Sequence, residues 1–220
     1  MNSSSFYRQS LTFVKSVDSR AKLKDAYAEY CPNCHANITN RTNQDKDDLI
    51  KCPECSKENK QLIIIDPEVK WHLENETYYH ESVGILLVNS KGELLCFKLN
   101  KFPYGFTIPA GHIDKGENPP KAVAREAHEE VNARLTSPKL LVQATIHGDK
   151  CRRGCDDHLW WLYGAKISPE DEEGLQVDEK EGTQLEWVSY KKFRDMQVPF
   201  AMNYFIKHHS KEIADYIENI

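Results

Sequence analysis

The 220-residue chain lacks most of what would commit it to a membrane or to generic nucleic-acid binding. No window approaches the roughly 18 uninterrupted apolar residues that a membrane-spanning helix needs. The opening stretch, MNSSSFYRQSLTFVKSVDSRAKLKD, has no apolar segment of the kind a secretory leader carries. Lys and Arg number 29 against 34 Asp and Glu, a net charge of −5, whereas a non-specific nucleic-acid binder is strongly basic. Internal repeats and low-complexity tracts are also missing. These absences predict a cytoplasmic protein, whose seven cysteines would be reduced thiols or metal ligands rather than disulfides. The length suffices for one good core and a small satellite domain.

Four of those cysteines fall into a pattern. CPNC (31–34) and CPEC (52–55) are separated by seventeen residues, and two such knuckles can aim four thiolates at one ion. Cys31, Cys34, Cys52 and Cys55 thus predict a Zn²⁺ ribbon over residues 31–65, with the intervening chain returning as a hairpin. Four thiolates leave no open position for water, so that zinc would be structural. A redox dithiol would need only one pair, and His35 reads as a bystander. Ahead of the ribbon, Leu11, Val14, Val17 and Ala21 recur at helical spacing. They predict an amphipathic helix over residues 10–30, within an N-terminal segment 1–30 suited to packing or to a homodimer contact.

Beyond the ribbon, residues 66–77 read as a linker or edge segment. SVGILLVN (82–89) and ELLCFKLN (93–100) bracket Ser90-Lys91-Gly92 and predict a β-hairpin buried on both faces. A Gly/Pro-punctuated loop follows, then a helix from about Pro119 to Val131 with Asn118 as N-cap. Strands are expected at 139–146, 158–167 and 184–189, and a C-terminal helix at 198–218. Strands interspersed with helices in this order give an α/β layered domain. Trp160 and Trp161, adjacent in a strand, should face opposite sides and pack in the core. Cys96 reads as a small core hydrophobe, and His208 and His209 as surface residues.

The segment GHIDKGENPPKAVAREAHEEVNA (111–133) carries the chemistry. Helical geometry puts Glu126, Glu129 and Glu130 within about 100° of one another. Arg125 can pair with Glu129, one turn on, or with Glu117 on the preceding loop. Clustered carboxylates with one fixed arginine fit hard divalent cations, and Mg²⁺ is usually shared with substrate phosphates. Gly111 allows close approach of a backbone carbonyl. Gly111-x5-Glu117-x7-Arg125-Glu126-Ala127-x-Glu129-Glu130 resembles the Nudix box of the Nudix hydrolases. One position departs, since Asn132 stands where the family has glycine; Asn is the commonest substitute in a left-handed turn, so the turn should survive.

The resemblance implies an α/β/α sandwich with a mixed sheet over about residues 76–220, preceded by the zinc ribbon and the N-terminal helix. It also implies hydrolysis of a nucleoside diphosphate linked to another moiety, by water attack at phosphorus. Glu126 and Glu130 would then ligate Mg²⁺ (or Mn²⁺), helped by Glu129 and the Gly111 carbonyl, while Arg125 and Glu117 keep helix and loop in register. Glu129 is the expected general base, with the acidic segment 170–173 as the alternative. A ribbon ahead of such a domain resembles the NADH pyrophosphatase branch, which acts on NAD(H) and NAD-capped RNA, but that branch's Ser-Gln-Pro-Trp-Pro-Phe-Pro-type motif is absent. A nucleotide is therefore the expected partner, with nucleic acid only as capped RNA. Arg152 and Arg153 are candidates for substrate phosphates, and His147, Cys151, Cys155 and His158 for a second metal. The competing class is a non-catalytic nucleotide sensor whose ribbon binds RNA or protein.

Overall fold

Short strands and tight cysteine turns alternate in the N-terminal part of the chain. The computed structural model describes residues 27–31, 33, 34, 36–39, 49–59, 62–74, 77–101, 104–149, 155 and 157–220. Four short strands come first: β1 (Ala28–Tyr30), β2 (Ile50–Lys51), β3 (Glu58–Asn59) and β4 (Ile63–Ile65). β1 pairs antiparallel with β4, and β2 with β3. The predicted N-terminal helix is corrected at its end, because residues 28–30 are extended, and residues 10–26 lie outside the described residues. Ala28 and Tyr30 are buried and Glu29 is half-buried, a period of two, and pairing with three consecutive isoleucines overrides the local helical spacing. The second knuckle sits inside the β2–β3 pair. The first lies between Tyr30 and Asn37, which form an antiparallel bridge. Each knuckle is thus its own turn. β5 (Trp71–Glu74) pairs with the start of β6 (Thr77–Val88), with Trp71 opposite His80, so the 66–77 region supplies an edge strand.

The chain divides into two compact units, Met1–His80 with His147–His158, and Glu81–Ile146 with Leu159–Ile220. In the second unit β6 continues into β7 (Leu94–Leu99), with Val88 opposite Leu94. Asn89 closes this turn, its Oδ1 accepting from the Lys91 and Glu93 N–H groups. The following loop, read from sequence as irregular, holds two further strands. β8 (Gly105–Thr107) pairs with β7, and β9 (Ala110–His112) pairs with β6. Then come α1 (Pro119–Val131), β10 (Lys139–His147), β11 (Asp157–Lys166), α2 (Pro169–Glu172), β12 (Gly182–Val188), α3 (Tyr190–Asp195), α4 (Phe200–His208) and α5 (Ser210–Glu218). The mixed sheet runs β10-β11-β6-β7-β12.

Alternation along β6 sorts the core into two layers. Val83, Ile85 and Leu87 pack with Ala122, Val123, Ala127 and Val131 of α1. Leu86 and Val88 face the other way, toward Ala201, Met202, Phe205 and Ile213. Helices therefore cover both faces, and the domain is an α/β/α sandwich. Trp160 belongs to the second layer, edge-on to Phe205 at 6.1 Å, and Trp161 packs against the first. Cys96 is fully buried, and burial pushes its thiol up to about 12. The predicted C-terminal helix breaks in two at His209 (φ −130°, ψ 25°). Its histidines also differ, His208 being exposed and His209 half-buried beside Phe205. Among the described residues no helix is long and apolar enough to cross a membrane.

α1 begins where the sequence places it, with the Asn118 side chain accepting from the Lys121 N–H at 3.0 Å. It ends at Asn132 in the left-handed region (φ 58°, ψ 24°). The Ala133 N–H reaches back to the Ala127 carbonyl and Asn132 Nδ2 donates to the Gly174 carbonyl, so the turn survives without glycine. Asn132→Ala should cost about 1–2 kcal/mol of unfolding free energy in denaturant titrations, because alanine loses both the Gly174 hydrogen bond and the side-chain amide that lets Asn adopt the left-handed region. Asn132→Gly should cost less than a kcal/mol, roughly the lost side-chain hydrogen bond. Equal stabilities for the two variants would contradict this reading of the cap.

Candidate active site

β9 and α1 between them place the acidic groups. Pairing of Gly111 with Val83 on β6 lays the β9 backbone along the helix, and the Glu126 carboxylate closes directly onto Gly111. A β-carbon at Gly111 would occupy the position of that carboxylate, so glycine is required here by contact rather than by backbone torsion. One turn on, Glu130 Oε2 accepts the Ala110 N–H at 2.8 Å. Both glutamates are buried. Glu129, by contrast, has a side chain 59% exposed. The helix thus separates its glutamates, two turned inward and one outward.

Arg125 ties this arrangement together. Its Nε and Nη2 donate to the two oxygens of Glu117 at 3.2 and 3.0 Å. Nη1 reaches Glu126 at 2.7 Å and Glu129 at 3.2 Å, and Nη2 donates to the His112 carbonyl at 2.9 Å. Asp114, a residue sequence reasoning did not single out, adds an ion pair at 3.5 Å. Its signal was available in the acidic character of the loop before Glu117, whose Oε2 accepts the Asp114 N–H. A planar guanidinium presents several donors at fixed angles, which lysine could not replace.

The electrostatics are lopsided. Burial opposes the charge of Arg125, but the Glu117 hydrogen bonds and the Glu126 charge outweigh it and hold the guanidinium charged. Glu117 is buried enough to be pushed up, yet Arg125 holds it below the usual carboxylate range. At Glu126 burial wins over Arg125 and raises the carboxyl to about 7. Glu130 is raised well above its ordinary value, first by burial and then by the Glu126 charge beside it. Two buried carboxyls that resist ionising together can share a proton or receive a divalent cation, and their hard oxygen donors suit Mg²⁺ or Mn²⁺.

In the first unit the four cysteines converge. Their sulfurs all lie within 4.8 Å of one another, with Cys31–Cys55 and Cys34–Cys52 at 3.7 Å. A tetrahedral zinc with bonds of about 2.3 Å holds its sulfurs about 3.8 Å apart. Burial opposes ionisation of Cys31, but N–H groups of Cys34 and Asn33 and the Cys52 thiol draw it down to about 7. Cys34, against its hydrogen bond from the Ala36 N–H, is pushed up to about 12 by burial and by the other thiols. Such a set ionises fully only around a cation. Of the candidate second-metal residues His147, Cys151, Cys155 and His158, the structure brings Cys155 and His158 together but not His147. His147 is mostly exposed and binds Asp157 at 2.8 Å, while His80 joins Cys155 and His158 instead. Cys151, Arg152, Arg153 and His35 lie outside the described residues. In the acidic segment, Glu170, Asp171 and Glu173 are exposed and Glu172 is half-buried.

The NUDIX domain family model matches residues 78–208. The chain belongs to this family, and curated proteins named RNA pyrophosphohydrolase are among its relatives. It is similar to the RNA pyrophosphohydrolase of Rhodospirillum rubrum, 38% identical over 26% of this chain and 34% of that protein. The match therefore spans about a third of that relative's length. The RNA pyrophosphohydrolase of Pseudoalteromonas translucida is 26% identical over 51% of this chain and 72% of its own. Among solved structures, a MutT protein from Methanosarcina mazei Go1 aligns with a TM-score of 0.51 at 21% identity, covering 61% of this chain and 94% of its own. The NUDIX domain of Shewanella oneidensis NrtR complexed with ADP ribose gives 0.51 at 15% identity, over 61% and 88%. At these identities the structures share the fold.

The raised Glu126 carboxyl makes the metal-free protein sensitive to pH. Its folded value, about 7, exceeds its ordinary 4.5, so the folded state holds the proton more tightly than the unfolded one. That stabilisation is complete below the ordinary value and is lost as pH rises through about 7. In EDTA, Tm should fall between about pH 5 and pH 8 more steeply for the wild type than for Glu126→Gln, which has no proton to lose there. Parallel Tm profiles would contradict the raised value.

Proposed function

We propose that the chain is a Mg²⁺-dependent (or Mn²⁺-dependent) pyrophosphohydrolase that cleaves a nucleoside diphosphate linked to another moiety. Water attacks one phosphorus and the bridging oxygen leaves. The observation that carries this reading is the pair Glu126 and Glu130, two buried carboxyls with raised pKa values side by side. Burying like charges is unfavourable, and proteins concentrate such groups where a ligand brings the compensating charge. That favours an enzyme over a non-catalytic sensor, which has no need of the pair.

In this reading Glu126 and Glu130 hold the cation, helped by Glu129 and the Gly111 carbonyl. When bound, it supplies positive charge to the pyrophosphate and acidity to the attacking water. The chain's own residues do the rest. Arg125 and Glu117 are positioning residues that fix the loop and the first turns of α1 around the carboxylates. Glu129 would take a proton from water, a role that its exposure and its contact with Arg125 support. Glu170, Asp171, Glu172 and Glu173 on and beside α2 are the alternative base, although Asp171 is engaged by Ser168 at 2.8 Å. The four-cysteine cluster takes a structural Zn²⁺, as its sulfur spacing fits. The residue ranges 31–65 for the ribbon and 76–220 for the hydrolase belong to the same reading, as do Arg152 and Arg153 as phosphate contacts.

The RNA pyrophosphohydrolases among its relatives put RNA with a 5′-terminal pyrophosphate or cap on the substrate panel, beside NADH, ADP-ribose, dinucleoside polyphosphates and dNTPs. Glu130→Gln keeps size and hydrogen-bonding capacity while deleting one charge. On the best substrate it should lose roughly a thousandfold in turnover, about 4 kcal/mol of barrier. Its metal-free Tm should hold or rise, because the buried like charge is gone, and stabilisation by added Mg²⁺ should shrink. Near-normal turnover would remove Glu130 from the reading. A variant that fails to fold would make that glutamate structural.

A further inference from the structure

Three strong transition-metal ligands that no part of the hydrolase site uses come together in the first unit. His80 lies on β6, Cys155 just before β11 and His158 on β11, and all three are buried, at 1%, 0% and 4% exposure. Their donor atoms all lie within 4.8 Å of one another. Cys155 Sγ is 3.6 Å from each ring nitrogen of His158, and the two imidazoles meet edge to face at 5.9 Å. A tetrahedral zinc, with bonds of about 2.3 Å to sulfur and 2.0–2.1 Å to nitrogen, separates these donors by about 3.6 Å. A thiolate with two imidazoles is a donor set for zinc rather than for magnesium or calcium.

A fourth residue supports the same reading. Asp149, itself buried, approaches His158 Nδ1 with its carboxylate at 3.2 Å and its carbonyl at 3.3 Å. A ring N–H directed at a carboxylate and a carbonyl fixes the tautomer and leaves Nε2 with its lone pair, the arrangement found behind metal-bound histidines. Asp149 and Cys155 also stand at the two ends of the connection between β10 and β11. A cation held here would tie Cys155 and His158, at the start of β11, to His80 on β6.

We propose that His80, Cys155 and His158 form a second zinc site, with Asp149 orienting His158, separate in its ligands from the four-cysteine cluster. The site stands or falls independently of the hydrolase reading, because none of its residues belongs to the acidic helix.

Elemental analysis and zinc K-edge X-ray absorption on the full chain, purified without chelator, test it. The expected result is two zinc ions per chain, with averaged ligation of five sulfurs to two nitrogens from protein side chains. Cys155→Ala and His158→Gln should each lose one ion and shift the spectrum toward sulfur alone. Cys31→Ser should lose the other ion and shift it toward nitrogen. If the Cys155 and His158 variants do not fold, the wild-type spectrum decides. One ion per chain with sulfur-only ligation would overturn the site, as would zinc content unchanged in folded Cys155→Ala.

Discussion

One guanidinium organises the candidate active site. Arg125 makes ion pairs with Asp114, Glu117, Glu126 and Glu129 and also binds the His112 backbone. It therefore joins the loop before the helix, the helix itself and strand β9 into one rigid piece. It does not neutralise that piece. Glu130 stands outside the fork with a backbone N–H for company, and Glu126 keeps a raised carboxyl even with Arg125 at 2.7 Å. The geometry is complete and the charge is not, an arrangement that suits the divalent cation of the function proposed above.

The same logic recurs in the first unit with softer donors. Cys31, Cys34, Cys52 and Cys55 are held at spacings that suit a tetrahedral ion, by turns whose backbone hydrogen bonds are already made. The Cys31 N–H donates to the Ala36 carbonyl and the Cys52 N–H to that of Lys57. Hard oxygen donors gather on one element of regular helix, and sulfur and nitrogen donors gather on turns and strand ends. The donor chemistry of the two parts differs, oxygen in the one suiting hard cations and sulfur and nitrogen in the other suiting zinc.

Much of this was legible in the residues because the informative signals were local. The helix at 119–131, its Asn118 cap, its left-handed Asn132 end and the 82–100 hairpin each depend on neighbours a few positions away. So do the two cysteine knuckles. What sequence reading missed depended on distant partners. Ala28–Tyr30 is a strand because Ile63–Ile65 pairs with it. Strands β8 and β9 hid in a loop rich in Gly and Pro because pairing with β7 and β6, rather than propensity, defines them. His80 joined Cys155 and His158 from far along the chain, and the spacing pattern favoured His147 in its place. Helical periodicity put Glu126, Glu129 and Glu130 on one face, but it could not show that Glu126 and Glu130 are buried while Glu129 stays exposed.

The central claim is that Glu126 and Glu130 form an uncompensated buried pair awaiting a divalent cation. Carbon-13 NMR of the glutamate side-chain carboxyls, titrated in EDTA and again with Mg²⁺, addresses it residue by residue. The account predicts two carboxyls that titrate well above the ordinary glutamate value without metal, one near 7, and that stay ionised to below that ordinary value once Mg²⁺ is added. Ordinary titration of both groups in EDTA, or raised values indifferent to Mg²⁺, would contradict it.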